Sequence, residues 1–193
     1  MTYTIHFHDY WHAGSGLSGG TYADLVVNKN RQGFPLLPGK TVKGLLRHAA
    51  ENLLAFGHPD VSQALIDELF GSDRHTERSG NPSSDDAPIA GFAYFTNAEL
   101  SDATRSAIDD TTRPRLYEIL ATTALDPETG TAKDHTLRSV EVTIPLLLHG
   151  QIDIDNETDA HRAALTACMQ YVKRLGQQRS RGLGRCTFQP TAA

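Results

Sequence analysis

The segment GQQRSRGLGR, residues 176–185, sets Arg179, Arg181 and Arg185 among Gly176, Gly182 and Gly184 with no acid between them. Glycine lets backbone N–H groups come close to a ligand, and guanidinium forks match phosphate oxygens. Such a loop suits a polyanion laid along the backbone, or else it is a solvated basic turn. Two elements frame it. Upstream, Ala163, Ala167 and Tyr171 with Ala164, Cys168, Val172 and Leu175 keep a helical period, which predicts a helix over 159–175 that Gly176 ends. Downstream, LGRCTF at 183–188 reads as a closing strand.

A second cation-bearing element lies at residues 34–57, FPLLPGKTVKGLLRHAAENLLAFG. From Val42 the apolar positions Val42, Leu45, Leu46, Ala49, Ala50, Leu53 and Leu54 predict a helix with one buried stripe. Pro38 and Gly39 mark a turn before it, and Thr41 is the expected cap. Lys40, Lys43 and Arg47, at spacings of three and four, share one face. A helix start with lysines and unsatisfied N–H groups attracts anions. An ordinary surface helix with its cations in water is the competing reading.

Charge placement separates the two readings. The formal net charge is −5, yet residues 28–47 carry five cations (Lys29, Arg31, Lys40, Lys43, Arg47) and no acid. Residues 171–185 carry five more (Lys173, Arg174, Arg179, Arg181, Arg185), again without an acid. The remaining eight Lys and Arg residues face 23 acids elsewhere. A local positive surface on an acidic body binds phosphate where the field is concentrated. This is the pattern of a groove binder for nucleic acid.

The rest of the chain fixes the expected architecture. Tyr3, Ile5 and Phe7 alternate with Thr4, His6 and His8 as a strand. A long glycine-bearing loop follows from Gly14, and a second helix is expected over 60–70 with Asp60 as cap. Residues 71–88 are polar and rich in turn formers, an expected mobile insertion extending to about 90. GFAYFTNA at 91–98 reads as a strand. LYEILATTAL reads as extended, and DPETGTAKDH as an exposed excursion. Val140, Val142 and Ile144 alternate, and the pattern runs past Pro145 to Ile152 and Ile154. Strand, helix, strand, strand, helix, strand is the α+β, ferredoxin-like (RRM-like) βαββαβ order, here with an extra helix and insertions. The aromatic signature of RNA-recognition modules is missing.

At 193 residues the chain suits one domain, 1–193. No run of eighteen apolar residues predicts a membrane span, and the N-terminus lacks a signal-peptide pattern, so cytoplasm is expected. Cys168 and Cys186 fall in helix and strand patterns, as reduced core residues do.

With these segments in place the chain resembles the RAMP superfamily of CRISPR effector proteins, and most nearly the backbone subunit of type III effector complexes. FPLLPGKTVKGLLR resembles that family's helix entry, and VKRLGQQRSRGLGR its C-terminal glycine-rich loop. GFAYFTNAEL resembles the strand after the first helical region, and ALDPETGTAKDHTLRSVEV the central hairpin, the thumb, placing a thumb-like insertion at about 113–140. The likeness spans about Trp11 to Phe188; Gln177 departs from it, where family members often carry a second glycine. The resemblance implies a guide (CRISPR) RNA-binding subunit that stacks with copies of itself and other effector subunits. It implies contacts from Lys40, Thr41, Lys43, Arg47, Arg179, Ser180, Arg181, Gly182, Gly184 and His12. It further implies cleavage of complementary target RNA by an aspartate before the first helix, with a divalent metal, Mg2+ or Mn2+. Asp24 matches that position and is the only acid between Asp9 and Glu51. A loop carboxylate can hold a metal or help activate a ribose 2′-hydroxyl; without the resemblance it reads as a turn or cap residue.

Other signals lead elsewhere. Gly33 and Gly39 enclose five residues where a phosphate-binding P-loop needs four, and two of the five are prolines lacking N–H donors. His6 and His8 share a strand face, but no third ligand stands at a metal-site spacing, so they read as surface or groove histidines. Arg113 and Arg115 receive no role. Three alternatives stay open. One is a non-catalytic paralogue binding or capping the guide. Another is a metal-independent guide-processing endoribonuclease using His6, His8 or His12. The last is a protein scaffold without RNA contact.

Overall fold

The structure, a computed structural model, describes residues 1–72 and 89–191. In chain order its elements are β1 (Thr2–Phe7), β2 (Leu36–Leu37), α1 (Gly39–Ala55), α2 (Gln63–Phe70), β3 (Gly71–Ser72), β4 (Ile89–Ala90), β5 (Ala93–Phe95) and β6 (Ala98–Glu99). There follow α3 (Asp102–Ser106), β7 (Tyr117–Thr122), β8 (Arg138–Thr143), β9 (Leu147–Ile154), α4 (Asp159–Tyr171) and β10 (Cys186–Pro190). The main sheet runs β10-β1-β9-β6-β2, with β5 also on β9, and every pairing in it is antiparallel. Taking β5 and β6 together as one strand position, the order is that of the ferredoxin-like fold.

Alternation builds the core. Tyr3, Ile5 and Phe7 are fully buried, and with Leu148, Ile152 and Phe188 they meet Val42, Leu46 and Ala49 of α1 and Leu165, Cys168 and Met169 of α4. Burying each large apolar side chain stabilises the fold by roughly 1.5–3 kcal/mol. The opposite sheet face carries exposed His6, His149, Gln151 and Thr187. Burial also pushes the thiols of Cys168 and Cys186 up to about 12, so these free cysteines stay protonated inside the core.

Several expected boundaries move, each for a tertiary reason. Helix α1 starts at Gly39, three residues before Val42. Its first N–H donates to Asn97 Oδ1 at 3.0 Å, so the cap comes from across the sheet and Thr41 lies inside the first turn. Only glycine fits at position 39, where a Cβ would lie 2.0 Å from the Phe95 carbonyl oxygen. Helix α2 is capped by Ser62, which accepts from the Leu65 N–H at 3.3 Å, because Asp60 is held in a turn on His58. Helix α4 ends at Tyr171, not Leu175: Leu175 donates to the Gly184 carbonyl at 2.8 Å, and that pairing pulls 172–175 into extended backbone.

The 140–154 alternation spans two strands in two sheets. β8 pairs with β7, and β9 with the main sheet, separated at Pro145. The 91–98 strand is likewise broken into β5 and β6. The ends of the expected 71–90 insertion pair as β3 and β4, while the expectation for residues 73–88 lies outside the described residues. Among the described residues no helix is long and apolar enough to cross a membrane.

Candidate nucleic-acid interface

The C-terminal basic loop is anchored at both ends and stands free in the middle. At its start Gly176 lies against the His12 carbonyl, where a Cβ would sit 2.5 Å from the oxygen, and the Gln177 N–H donates to that oxygen at 2.9 Å. At its end Gly184 donates to the Tyr10 carbonyl at 2.7 Å, and Arg185 donates to the Asp9 carboxylate at 3.1 and 3.4 Å. Between them Leu183 packs with Val140 and Val142 of β8 and Leu120 of β7. Arg179, Ser180 and Arg181 are exposed in a single 3-10 turn, flanked by left-handed Gln178 and by exposed, left-handed Gly182.

The expected phosphate contact at Gly184 is therefore corrected. It is buried, its N–H is already bonded, and a Cβ there would meet the Leu175 carbonyl oxygen at 1.9 Å. Gly184→Ala should destabilise the fold by about 3–5 kcal/mol, from left-handed strain plus overpacking. Gly182→Ala, which has open space around its Cβ, should cost only about 1–2 kcal/mol. Urea unfolding midpoints of the two variants measure the contrast.

Helix α1 meets this loop through an unexpected flank. Leu45, His48 and Asn52 of α1 line a cavity of about 320 Å3 with Tyr171, Lys173, Arg174 and Arg179. None of those three cations is paired with an acid among the described residues, and Arg174 bonds the Arg179 carbonyl at 3.3 Å. At about 100° per residue, Lys43 lies some 200° around the helix from Leu45. Lys40, Lys43 and Arg47 thus face away from that cavity. Arg47 pairs with Glu51 at 3.0 Å and lines a different space, beside Asp67 and Glu68 of α2. The two cation-bearing segments do converge, but Lys43 and Arg181 do not line the cavity they share. His48 and Asn52, one turn apart on a helix face, were the legible but unread signal for it.

Asp24 is placed by the hairpin. Residues 24–27 run beside β8: Asp24 N–H donates to Ser139 O at 2.9 Å, Leu25 pairs with Val140, and Glu141 N–H donates to Leu25 O at 2.9 Å. The Asp24 carboxylate is exposed, and its Oδ2 accepts from the Ser139 N–H at 2.7 Å and hydroxyl at 3.2 Å. Oδ1 has no hydrogen-bond partner among the described residues. Ser139, which holds Asp24, adjoins Val140, which packs against Leu183 of the basic loop. The hairpin strand therefore joins carboxylate and loop.

Beneath lies a network that sequence reading missed. Glu141 is fully buried, and its carboxylate accepts from Lys29 Nζ at 2.7 Å and the Val27 N–H at 3.0 Å. Lys29 Nζ also sits 3.9 Å above the Tyr117 ring. A glutamate in an alternating strand gives no sign of burial, since the lysine that neutralises it, Lys29, is distant in the sequence. His12, expected at the RNA face, is also fully buried: its Nδ1–H donates to the Glu141 carbonyl at 2.6 Å. Packing under Gly14 and Gln177 removes it from any surface contact.

Among the described residues no three His, Cys, Asp or Glu side chains are grouped to hold a metal ion. The described residues thus offer no all-protein cage. One carboxylate with an open oxygen fits an ion whose other ligands are phosphate and water.

The sequence model of the RAMP superfamily matches residues 4–187. No curated protein sequence matches the chain. Among solved structures, a chain of Type III-B Cmr-beta bound to cognate target RNA superposes with a TM-score of 0.65 at 12% identity, covering 97% of this chain and 95% of that one. A chain of the apo state of Type III-B Cmr-beta gives 0.65 at 14% identity, covering 98% and 96%.

Proposed function

Because the chain belongs to the RAMP superfamily, we propose that it is a guide RNA-binding backbone subunit of a type III-like CRISPR effector complex that cleaves the paired target RNA. One observation carries this reading: the cavity between α1 and the C-terminal loop, where Lys173, Arg174 and Arg179 gather without an acid partner among the described residues. Uncompensated guanidinium groups over an apolar floor suit a ribose-phosphate chain. Exposed Arg181, Ser180 and the Gly182 N–H continue that track, and Lys40 and Thr41 at the helix start can meet the strand farther on. The β7–β8 hairpin is the thumb. Its exposed Leu125 and Leu137 are apolar surfaces for a base step of the guide–target duplex.

Catalysis is assigned to Asp24. Its Oδ1 accepts the proton of a target ribose 2′-hydroxyl as O2′ attacks the adjacent phosphorus. The P–O5′ bond then breaks, and the leaving oxygen takes a proton from water. Ser139 holds Oδ2 and so fixes the carboxylate's direction. A divalent ion, Mg2+ or Mn2+, held by Asp24 and the RNA, would supply charge stabilisation at the phosphate.

Protein purified from cells carrying a CRISPR array should retain guide-length RNA, seen as a raised 260/280 nm absorbance ratio and a discrete band. Nucleic-acid-free protein that fails to bind guide RNA would support the scaffold alternative instead. Cleavage of precursor RNA by the isolated chain in chelator would favour the histidine-based enzyme.

A further inference from the structure

Arg138, the first residue of β8, stands exposed where the hairpin strand takes hold of Asp24. We propose that it is a second catalytic residue, whose guanidinium binds the scissile phosphate of the target RNA; the inference rests on the cleavage reading above.

Position supplies the first argument. The Ser139 N–H that donates to Asp24 Oδ2 at 2.7 Å belongs to the peptide unit that leaves Arg138. Two covalent bonds and that hydrogen bond separate the carboxylate from the Arg138 Cα, which places them within about 5 Å. Successive strand residues alternate, so Arg138 shares a face with Val140 and Val142, against which Leu183 packs. The exposed turn of Arg179 and Arg181 runs straight into Leu183. Arg138 therefore carries the cationic track of the C-terminal loop onto the hairpin and ends it beside Asp24.

Charge supplies the second. Arg105, Arg113, Arg162 and Arg185 are each paired with a carboxylate. The Arg138 guanidinium has no acid or hydrogen-bond partner among the described residues, not even its neighbour Asp24, whose Oδ2 is held by Ser139. A proton acceptor and an uncompensated guanidinium on one strand are the two groups the reaction needs from the protein. As the O2′–P bond forms, Asp24 takes the 2′-hydroxyl proton and negative charge gathers on the nonbridging oxygens. The P–O5′ bond then breaks, and water protonates the leaving oxygen. Two N–H groups of the planar guanidinium fork match two phosphate oxygens, and their hold strengthens as that charge grows.

The test uses guide-bound full-length protein in Mg2+ with saturating target RNA, in single turnover. Arg138→Ala should slow cleavage by about 10²-fold, the effect of removing one preorganised donor. Guide retention and target affinity should barely change, because pairing with the guide holds the target. Arg138→Lys, which keeps the charge without the fork, should cut at an intermediate rate. Guanidinium chloride, well below unfolding concentrations, should speed Arg138→Ala but not Asp24→Asn. An unchanged rate in Arg138→Ala overturns the assignment. So does a loss that neither lysine nor added guanidinium restores, since a displaced Asp24 would then account for it. Wild type that binds target without cutting removes the Asp24 reading and Arg138 with it; wild type that cuts no faster than Arg138→Ala removes Arg138 alone.

Discussion

Asp24→Asn should abolish target-RNA cleavage while leaving the guide-bound complex intact. Removing a positioned proton acceptor lowers a rate by about 10²–10⁴-fold. The asparagine side chain keeps one oxygen for the Ser139 N–H and hydroxyl, so the loop stays seated on β8. Asp24→Ala should lose the same activity and loosen the loop slightly as well. Single-turnover cleavage of a guide-paired RNA in Mg2+, read beside guide retention, separates the two effects. Cleavage that survives both variants removes Asp24 from the chemistry. Wild-type protein that holds guide and target yet never cuts is the non-catalytic paralogue.

The double variant Arg174→Ala/Arg179→Ala should weaken guide binding by about 10²-fold, from two charge-assisted contacts of about 1.5 kcal/mol each. The slope of log affinity against log salt should flatten by about 1.4, the share of two phosphates on a single strand. Both side chains are exposed, so stability should hardly change. Lys43→Ala should have the smaller effect, because its flank of α1 faces away from the cavity that holds Arg179. Equal losses from Lys43 and from the arginine pair would mean that the RNA crosses the other side of the helix.

How much of this was legible follows from the range of each interaction. The period of Val42, Leu46, Ala49 and Leu53, and the alternation of Tyr3, Ile5 and Phe7, are local patterns, and they correctly announced the helix and strand that form the core. Segregation of cations into 28–47 and 171–185 was equally plain, being a matter of composition. Caps were less so: Asn97 serves α1 from 58 residues away, and no local rule reaches that far. Gly184 looked like a phosphate-facing glycine, but its role is close approach to Leu175, which depends on a neighbour brought by the fold. His12 and Glu141 went the same way, polar residues whose burial hangs on partners 129 and 112 positions distant.

Periodicity and charge spacing thus sufficed for the ferredoxin-like order of elements and for the existence of a basic surface, since both depend on residues a few positions apart. Which flank of α1 faces the C-terminal loop, which glycines are packed and which carboxylates are buried arose only when distant segments met. Those outcomes are set by contacts between segments far apart in the chain, whose energies no single segment encodes.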